Sequence, residues 1–227
     1  MRIIAVDRFE HQFEERKFFI GNVSHELQTP LAVCSNRIEL LLDRSDLSAE
    51  MADELVKIHR SLQNLIRMNK SLLLLTRIES EQFSADSTVV FNDLLKDAVA
   101  LYTDIYSHKD IEVSFKDEGE FSVKMSDQLS SVLVNNLIKN AFVHSAAGSV
   151  VSVTVGPEGF AVSNTGVAPL DRDRLFRRFY LPSGRREGST GLGLALADAV
   201  CAHSGLADSY DFIDGLHVFA VNLKKSK

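Results

Sequence analysis

The sequence predicts an α+β chain: a helical hairpin that pairs with a second copy as a dimeric four-helix bundle, followed by an α/β sandwich. Three observations carry this. The first 80 residues hold one proline, Pro30, and one glycine, Gly21, and their apolar residues recur at helical spacing. A polar stretch, Glu79-Ser80-Glu81-Gln82-Phe83-Ser84-Ala85-Asp86-Ser87-Thr88, then breaks the pattern. Beyond it, short strand-like runs are interleaved with helical ones, the order expected of helices covering one face of a sheet. The expected organisation is a hairpin over 1–80, a linker over 81–88 and a second domain over 89–227.

In the hairpin, Ile20, Ser24, Leu27, Leu31, Cys34, Ile38 and Leu41 step by alternating fours and threes. Leu55, Ile58, Leu62, Leu65, Asn69 and Leu72 do the same, which gives a heptad seam on each of two successive helices. The polar stretch from Asp43 to Ser48 joins them. Ser48 is the expected N-cap of the second helix, without a capping box because Met51 stands three residues on. Two helices with one apolar stripe each leave half of a core open. A second hairpin closes it; packing on the rest of the same chain is the alternative. In the second half, strands are expected at Val89–Phe91, Ile111–Phe115, Val150–Val155, Phe160–Ser163 and His217–Leu223. Helices are expected near 92–106, 127–144, 171–177 and 192–204.

Hydrophobic residues make up 45% of the 227 and charged residues 25%, the balance of a folded domain. The net charge is −6 with no basic face, which argues against nucleic acid or an anionic membrane surface as partner. Cys34 and Cys201 have neither CxxC spacing nor a histidine cluster, so two packed thiols in a reducing compartment are expected. No apolar run reaches the ~20 residues that cross a bilayer. Either the protein is cytosolic, or any membrane contact is made through a segment absent from this chain.

Five strings carry chemistry. In Ser24-His25-Glu26-Leu27-Gln28-Thr29-Pro30-Leu31, His25 follows a seam position and is expected at the edge of the bundle, with Thr29 on its helix face and a kink at Pro30. Neutral imidazole is a nucleophile near its ordinary pKa of about 6.5, and an adjacent carboxylate can take its other proton or hold its tautomer. In Asn135-Asn136-Leu137-Ile138-Lys139-Asn140-Ala141, Asn136 and Asn140 lie one turn apart on an otherwise apolar helix; amide oxygens suit Mg²⁺ and amide nitrogens suit phosphate. Asn164-Thr165-Gly166-Val167-Ala168 follows a strand, Leu175-Phe176-Arg177-Arg178-Phe179-Tyr180 is aromatic and basic, and Gly188-Ser189-Thr190-Gly191-Leu192-Gly193 runs into a helix, whose free N–H groups favour anions.

The first string closely resembles the phosphoacceptor box of sensor histidine kinases. The other four, in order, resemble the boxes of that family's ATP-binding domain, so the resemblance covers nearly the whole chain. It implies an ATP-dependent autokinase: His25 attacks the γ-phosphate, Glu26 assists as base, and Thr29 positions a water for phosphatase activity toward a response regulator. It also implies an ATP site of Asn136, Asn140, His144, Asn164, Gly166, Arg178, Gly188, Thr190, Gly191, Leu192 and Gly193, with Mg²⁺ on Asn140. The implied partners are a second copy of the chain and the receiver domain of a response regulator, whose aspartate takes the phosphoryl group.

The chain departs from the family in places. Val143 stands where lysine is frequent and His144 where an aromatic residue is common. Asn164 replaces the adenine-contacting aspartate, Ala168 replaces the second glycine of that box, and Leu181 stands where another arginine is frequent, a charge Arg185 or Arg186 could supply. A module that has lost ATP use in favour of partner binding or phosphatase activity therefore stays open. A gyrase- or Hsp90-type ATPase would lack the His25 helix.

Overall fold

The computed structural model describes residues 23–24, 26–44, 46–182 and 189–224. Residues 26–42 are helical (α1), and α2 spans Ala49–Glu79. Ser48 caps α2 as expected, its hydroxyl accepting the Met51 N–H at 3.2 Å. The two helices run antiparallel, since Ser24 meets Asn69 near one end and Glu39 meets His59 near the other. Between them Ser35 donates to Glu39 at 3.0 Å and accepts from the Gln63 amide at 2.8 Å. This polar row lies beside the apolar seam and fixes the register of the pair.

The seam residues are only partly covered within one chain. Leu27, Leu41, Ile58 and Leu65 are 40–53% exposed. Ile58 and Leu65 join Cys34, Ile38 and Leu62 in one largely apolar surface groove, whereas the seam residues Asn69 and Ser24 are buried. Cys34 is exposed, contrary to the expectation of two packed thiols; Cys201, on the core side of its helix, is fully buried. Burial pushes the Cys201 thiol far above its ordinary range, which leaves it inert.

After the turn at Ser80–Glu81 comes the α/β unit. Its elements in order are β1 (Ser87–Val90), α3 (Phe91–Ile105), a short 3₁₀ turn (Ser107–Lys109), β2 (Glu112–Asp117), β3 (Ser122–Met125), α4 (Asp127–His144), β4 (Val150–Gly156), β5 (Gly159–Thr165), α5 (Arg172–Leu175), α6 (Gly193–His203), β6 (Leu206–Ile213) and β7 (Leu216–Leu223). Five strands form one sheet in the order β2-β4-β5-β7-β6, parallel only between β2 and β4; β1 and β3 make a separate antiparallel pair. Alternate residues of the inner strands (Val151, Val153 and Val155 on β4; Phe160, Val162 and Asn164 on β5) are buried on one face. Helices α3, α4 and α6 cover that face, and the α/β sandwich expected from the sequence is the observed one.

The elements differ from expectation in three places. Phe91 opens α3 instead of closing β1, because it turns into a cluster with Phe121 and Phe160 at centroid distances of 5.1 and 5.4 Å. β3 and β6 were not anticipated. β3 is four residues long, and β6, Leu-Ala-Asp-Ser-Tyr-Asp-Phe-Ile, buries only Leu206 and Tyr210, so it lacks a period-two signal. The helix expected over 171–177 is a single turn.

Two contacts position the site. Lys109 donates to the carbonyls of Phe142, Val143 and Ser145 at 2.8–3.1 Å, placing a cation on the C-terminal end of α4 where the helix dipole favours it. The end of α2 packs on α6: Leu75 and Ile78 are buried in the same core as the sheet. Each such side chain contributes about 1.5–3 kcal/mol by burial.

Candidate phosphoacceptor helix and nucleotide pocket

His25 and Gly188 lie outside the described residues, as do Arg185 and Arg186. The residues flanking His25 are defined. Ser24 is 4% exposed and its carbonyl accepts the Asn69 amide at 2.5 Å, so the α1 backbone beside His25 is tied across the hairpin. Glu26 and Thr29 are exposed on α1, available to solvent and to a partner. An amide at a seam position is costly to bury unpaired, and here it is paired. Between α1 and α2 opens a groove of about 420 Å³ lined by Gln28, Leu31, Asn36, Glu39, Gln63 and Lys70.

The other named residues come from four elements. Asn136 and Asn140 project from α4 and are half-buried. The Asn136 amide donates to the Val132 carbonyl at 2.7 Å, which turns its oxygen toward α6: a methyl group on Gly193 would stand 2.9 Å from that oxygen. Asn140 has no hydrogen-bond partner among the described residues, so its amide is free for a ligand. His144 ends α4 and is exposed. Asn164 ends the buried row of β5 at 2% exposure, its amide donating to the Thr165 carbonyl at 3.2 Å. Gly166, just beyond, is tied to the β6–β7 turn through its N–H to the Gly215 carbonyl, 2.8 Å.

Thr190, Gly191, Leu192 and Gly193 lead into α6 and present its free N–H groups. Gly191 has φ +67°, and its carbonyl accepts the Phe179 N–H at 2.9 Å. Leu192 is fully buried, so its side chain is part of the core and only its backbone faces the turn. Arg178 is placed elsewhere: its guanidinium pairs with Glu79 at the end of α2. The structure thus brings Asn136 together with the Gly191–Gly193 turn, sets Asn164 and Gly166 at the end of β5, and holds Arg178 against the hairpin.

Two residues at this end of the sheet carried no sequence signal. His217 on β7 lies directly opposite Asn164 on β5, and Tyr210 on β6 contacts His217 through a 2.9 Å hydrogen bond. Their meeting depends on the register of β5, β6 and β7, which no local pattern reports.

The donor set fits the groups the resemblance implies. A helix N-terminus and glycine backbone suit a triphosphate, and the unengaged Asn140 amide is a hard oxygen donor of the kind Mg²⁺ accepts alongside waters and phosphate. Among the described residues no cluster of three or more acidic, histidine or cysteine side chains could hold a metal by itself, and a magnesium ion that arrives with ATP needs none.

Residues 15–81 match the family described as the His Kinase A (phospho-acceptor) domain. Residues 126–211 match the histidine kinase-, DNA gyrase B- and HSP90-like ATPases. The chain is 30% identical over 210 residues to the sensor histidine kinase RppB of Synechocystis, a match covering 87% of the chain and 46% of the relative. It is 31% identical to the sensor protein QseC of Escherichia coli, over 85% of the chain and 43% of the relative. The chain therefore spans about half the length of the curated relatives it matches. Among solved structures, full-length ShkA in complex with AMPPNP superposes with a TM-score of 0.68 at 22% identity, over 91% of this chain and 46% of that one. The Acinetobacter baumannii histidine kinase AdeS superposes with a TM-score of 0.56 at 20% identity, over 88% of this chain and 96% of that one. Phosphoacceptor hairpin and ATPase sandwich follow one another in a single chain, and by that combination the chain belongs to the sensor histidine kinases.

Proposed function

We propose that this chain is an ATP-dependent histidine autokinase that phosphorylates His25, transfers the phosphoryl group to an aspartate of a response-regulator receiver domain, and also promotes that regulator's dephosphorylation. The observation that carries the reading is the meeting of Asn136 on α4 with the Gly191–Gly193 turn that opens α6. It sets the free N–H groups that open α6 beside the amide of Asn136 on α4, and Asn164 ends the buried row of β5.

In this reading adenine lies against Asn164 and Gly166, and the triphosphate runs toward Thr190, Gly191 and Gly193, with Asn136, Asn140 and His144 along α4. Magnesium, held by Asn140 and the phosphates, would neutralise charge on the triphosphate. A ring nitrogen of His25 forms a bond to the γ-phosphorus as the bridging P–O bond to ADP breaks, and ADP leaves with that electron pair. The proton on the other ring nitrogen passes to Glu26. The protein supplies mainly position and charge, as is usual for phosphoryl transfer. Thr29, exposed on α1, orients a water that attacks the phosphorus of the regulator's phosphoaspartate, releasing phosphate and the free carboxylate. Arg178, paired with Glu79, reaches the nucleotide only after leaving that partner.

The proposed division is a phosphoacceptor hairpin over 1–80, a linker over 81–88 and the ATP-binding domain over 89–227. No helix among the described residues is long and apolar enough to cross a membrane. The relatives' description as sensors supports placing the chain in the cytoplasmic portion of a membrane-anchored protein. The half-covered seam at Leu27, Leu41, Ile58 and Leu65 supports a homodimer. Sedimentation at micromolar concentration should give roughly twice the 25.2 kDa chain mass, and Ile58→Glu should yield a monomer; a native monomer contradicts the bundle.

Transfer tests the partner. Chain labelled with γ-labelled ATP and freed of nucleotide should lose its label within minutes when a cognate receiver domain is added, and a receiver lacking its acceptor aspartate should leave the label in place. Loss of label to both receivers alike would reject phosphotransfer.

A further inference from the structure

The loop that leaves β5 just after Asn164 carries Gly166 at its start and reaches Leu170 before α5. What holds it is a pair of residues outside the nucleotide motifs. His217 faces Asn164 across the β5–β7 ladder and Phe212 across the β6–β7 ladder, so the three side chains form one row on the core face. The His217 ring packs on Phe212 at 5.1 Å and on Tyr210 at 5.9 Å between centroids. Tyr210 is 5% exposed; its hydroxyl accepts the Leu170 N–H at 2.9 Å and lies 2.9 Å from His217 Nδ1. With one lone pair taken by Leu170, the hydroxyl proton is left for Nδ1 of neutral imidazole, and burial favours that neutral form.

The other side of the ring meets Gly166. A methyl group built on Gly166 would stand 2.9 Å from His217 Cε1 and closer still to Nε2 and Cδ2. The Gly166 backbone lies outside the left-handed region, so glycine is not required there by its own torsions. Nor can the imidazole swing away, being held by Tyr210 on one edge and Phe212 on its neighbouring strand.

We propose that Tyr210 and His217 are positioning residues for the nucleotide pocket: they clamp the 165–170 loop at both ends, and Gly166 is glycine because the His217 imidazole is seated against its α-carbon. The clamp rests on the nucleotide reading given above. It acts through the loop and touches no reacting atom, so its effect falls on ATP affinity.

The test uses the 227-residue chain with ATP and Mg²⁺, measuring Kd by calorimetry, KM and kcat for autophosphorylation, and the thermal midpoint without nucleotide. Tyr210→Phe keeps the ring and removes both hydrogen bonds; it should weaken ATP binding by about 5–10-fold, with the change in KM and the rate at saturating ATP retained. Gly166→Ala should weaken binding by at least about 20-fold. His217→Ala, added to Gly166→Ala, should recover about fourfold or more, a coupling that independent sites do not show. A lowered thermal midpoint for Tyr210→Phe with native Kd and KM would make the pair an ordinary core contact and overturn the proposal, as would additive costs for Gly166→Ala and His217→Ala. If the double variant fails to fold, the Tyr210→Phe split decides. Failure of the native chain to bind ATP would instead reject the nucleotide reading itself, and the clamp with it.

Discussion

Replacing Gly191 by alanine is expected to weaken ATP binding by about 100-fold, the equivalent of ~3 kcal/mol. Two costs combine. Gly191 sits at φ +67°, where a Cβ costs about 1–2 kcal/mol. The new methyl would also stand 2.8 Å from the Phe179 carbonyl carbon and 2.9 Å from Phe179 Cα and the Tyr180 oxygen. Those are backbone atoms on a segment that itself runs through a left-handed residue, Phe179 at φ +61°, so no side-chain rotation relieves the contact. The 2.9 Å bond from Phe179 N–H to the Gly191 carbonyl would open, and the turn that presents the α6 N–H groups would move with it. Calorimetric titration with ATP checks this. An affinity within threefold of native would place the phosphates away from this turn.

The second large effect concerns Asn164. At 2% exposure it already donates to the Thr165 carbonyl, and a carboxylate in its place would set oxygen against oxygen in a buried site. Asn164→Asp should therefore lower the stability of the nucleotide-free protein by about 2–3 kcal/mol, seen as a drop of several degrees in thermal midpoint. It should at the same time tighten ATP binding by roughly fivefold, since a carboxylate accepts the adenine amino N–H more strongly than an amide oxygen does, by about 1 kcal/mol. Opposite signs for stability and affinity are the signature. A variant that is destabilised and binds ATP no better would show that adenine does not meet residue 164.

Much of this architecture is legible in the sequence because its signals are local. Heptad spacing depends on residues three and four apart, so both hairpin helices and the Ser48 cap stand where expected. The apolar frame around Asn136 and Asn140 likewise identifies α4. What escapes is set by contacts distant in the chain. β6 is an edge strand rich in Asp208, Ser209 and Asp211, so no alternation marks it. The pairing of Arg178 with Glu79 joins residues on α2 and after α5, and no motif reports it. Leu192 reads as part of a ligand-binding turn, yet at the N-cap of α6 its side chain is fully buried in the core, a contact that the local glycine pattern does not report. The seat of His217 against Gly166 is of the same kind: the glycine is visible in the sequence, and its reason lies two strands away.

The residues proposed to meet adenine also show where the chain differs from its family. Asn164 stands where the family pattern has aspartate and Ala168 where it has glycine, so neither position carries a carboxylate. His217 on β7 and Tyr210 on β6 supply polar neighbours from other strands. The phosphoacceptor string keeps the family pattern through Ser24, His25, Glu26, Thr29 and Pro30, and Asn69 holds its backbone from across the hairpin.

Acid-labile label from γ-labelled ATP is the most direct measurement of the central claim. The native chain with Mg²⁺ should become labelled, and His25→Ala, with unchanged ATP affinity, should carry no label. Label that persists in His25→Ala, or a native chain that binds ATP and never becomes labelled, would contradict the autokinase.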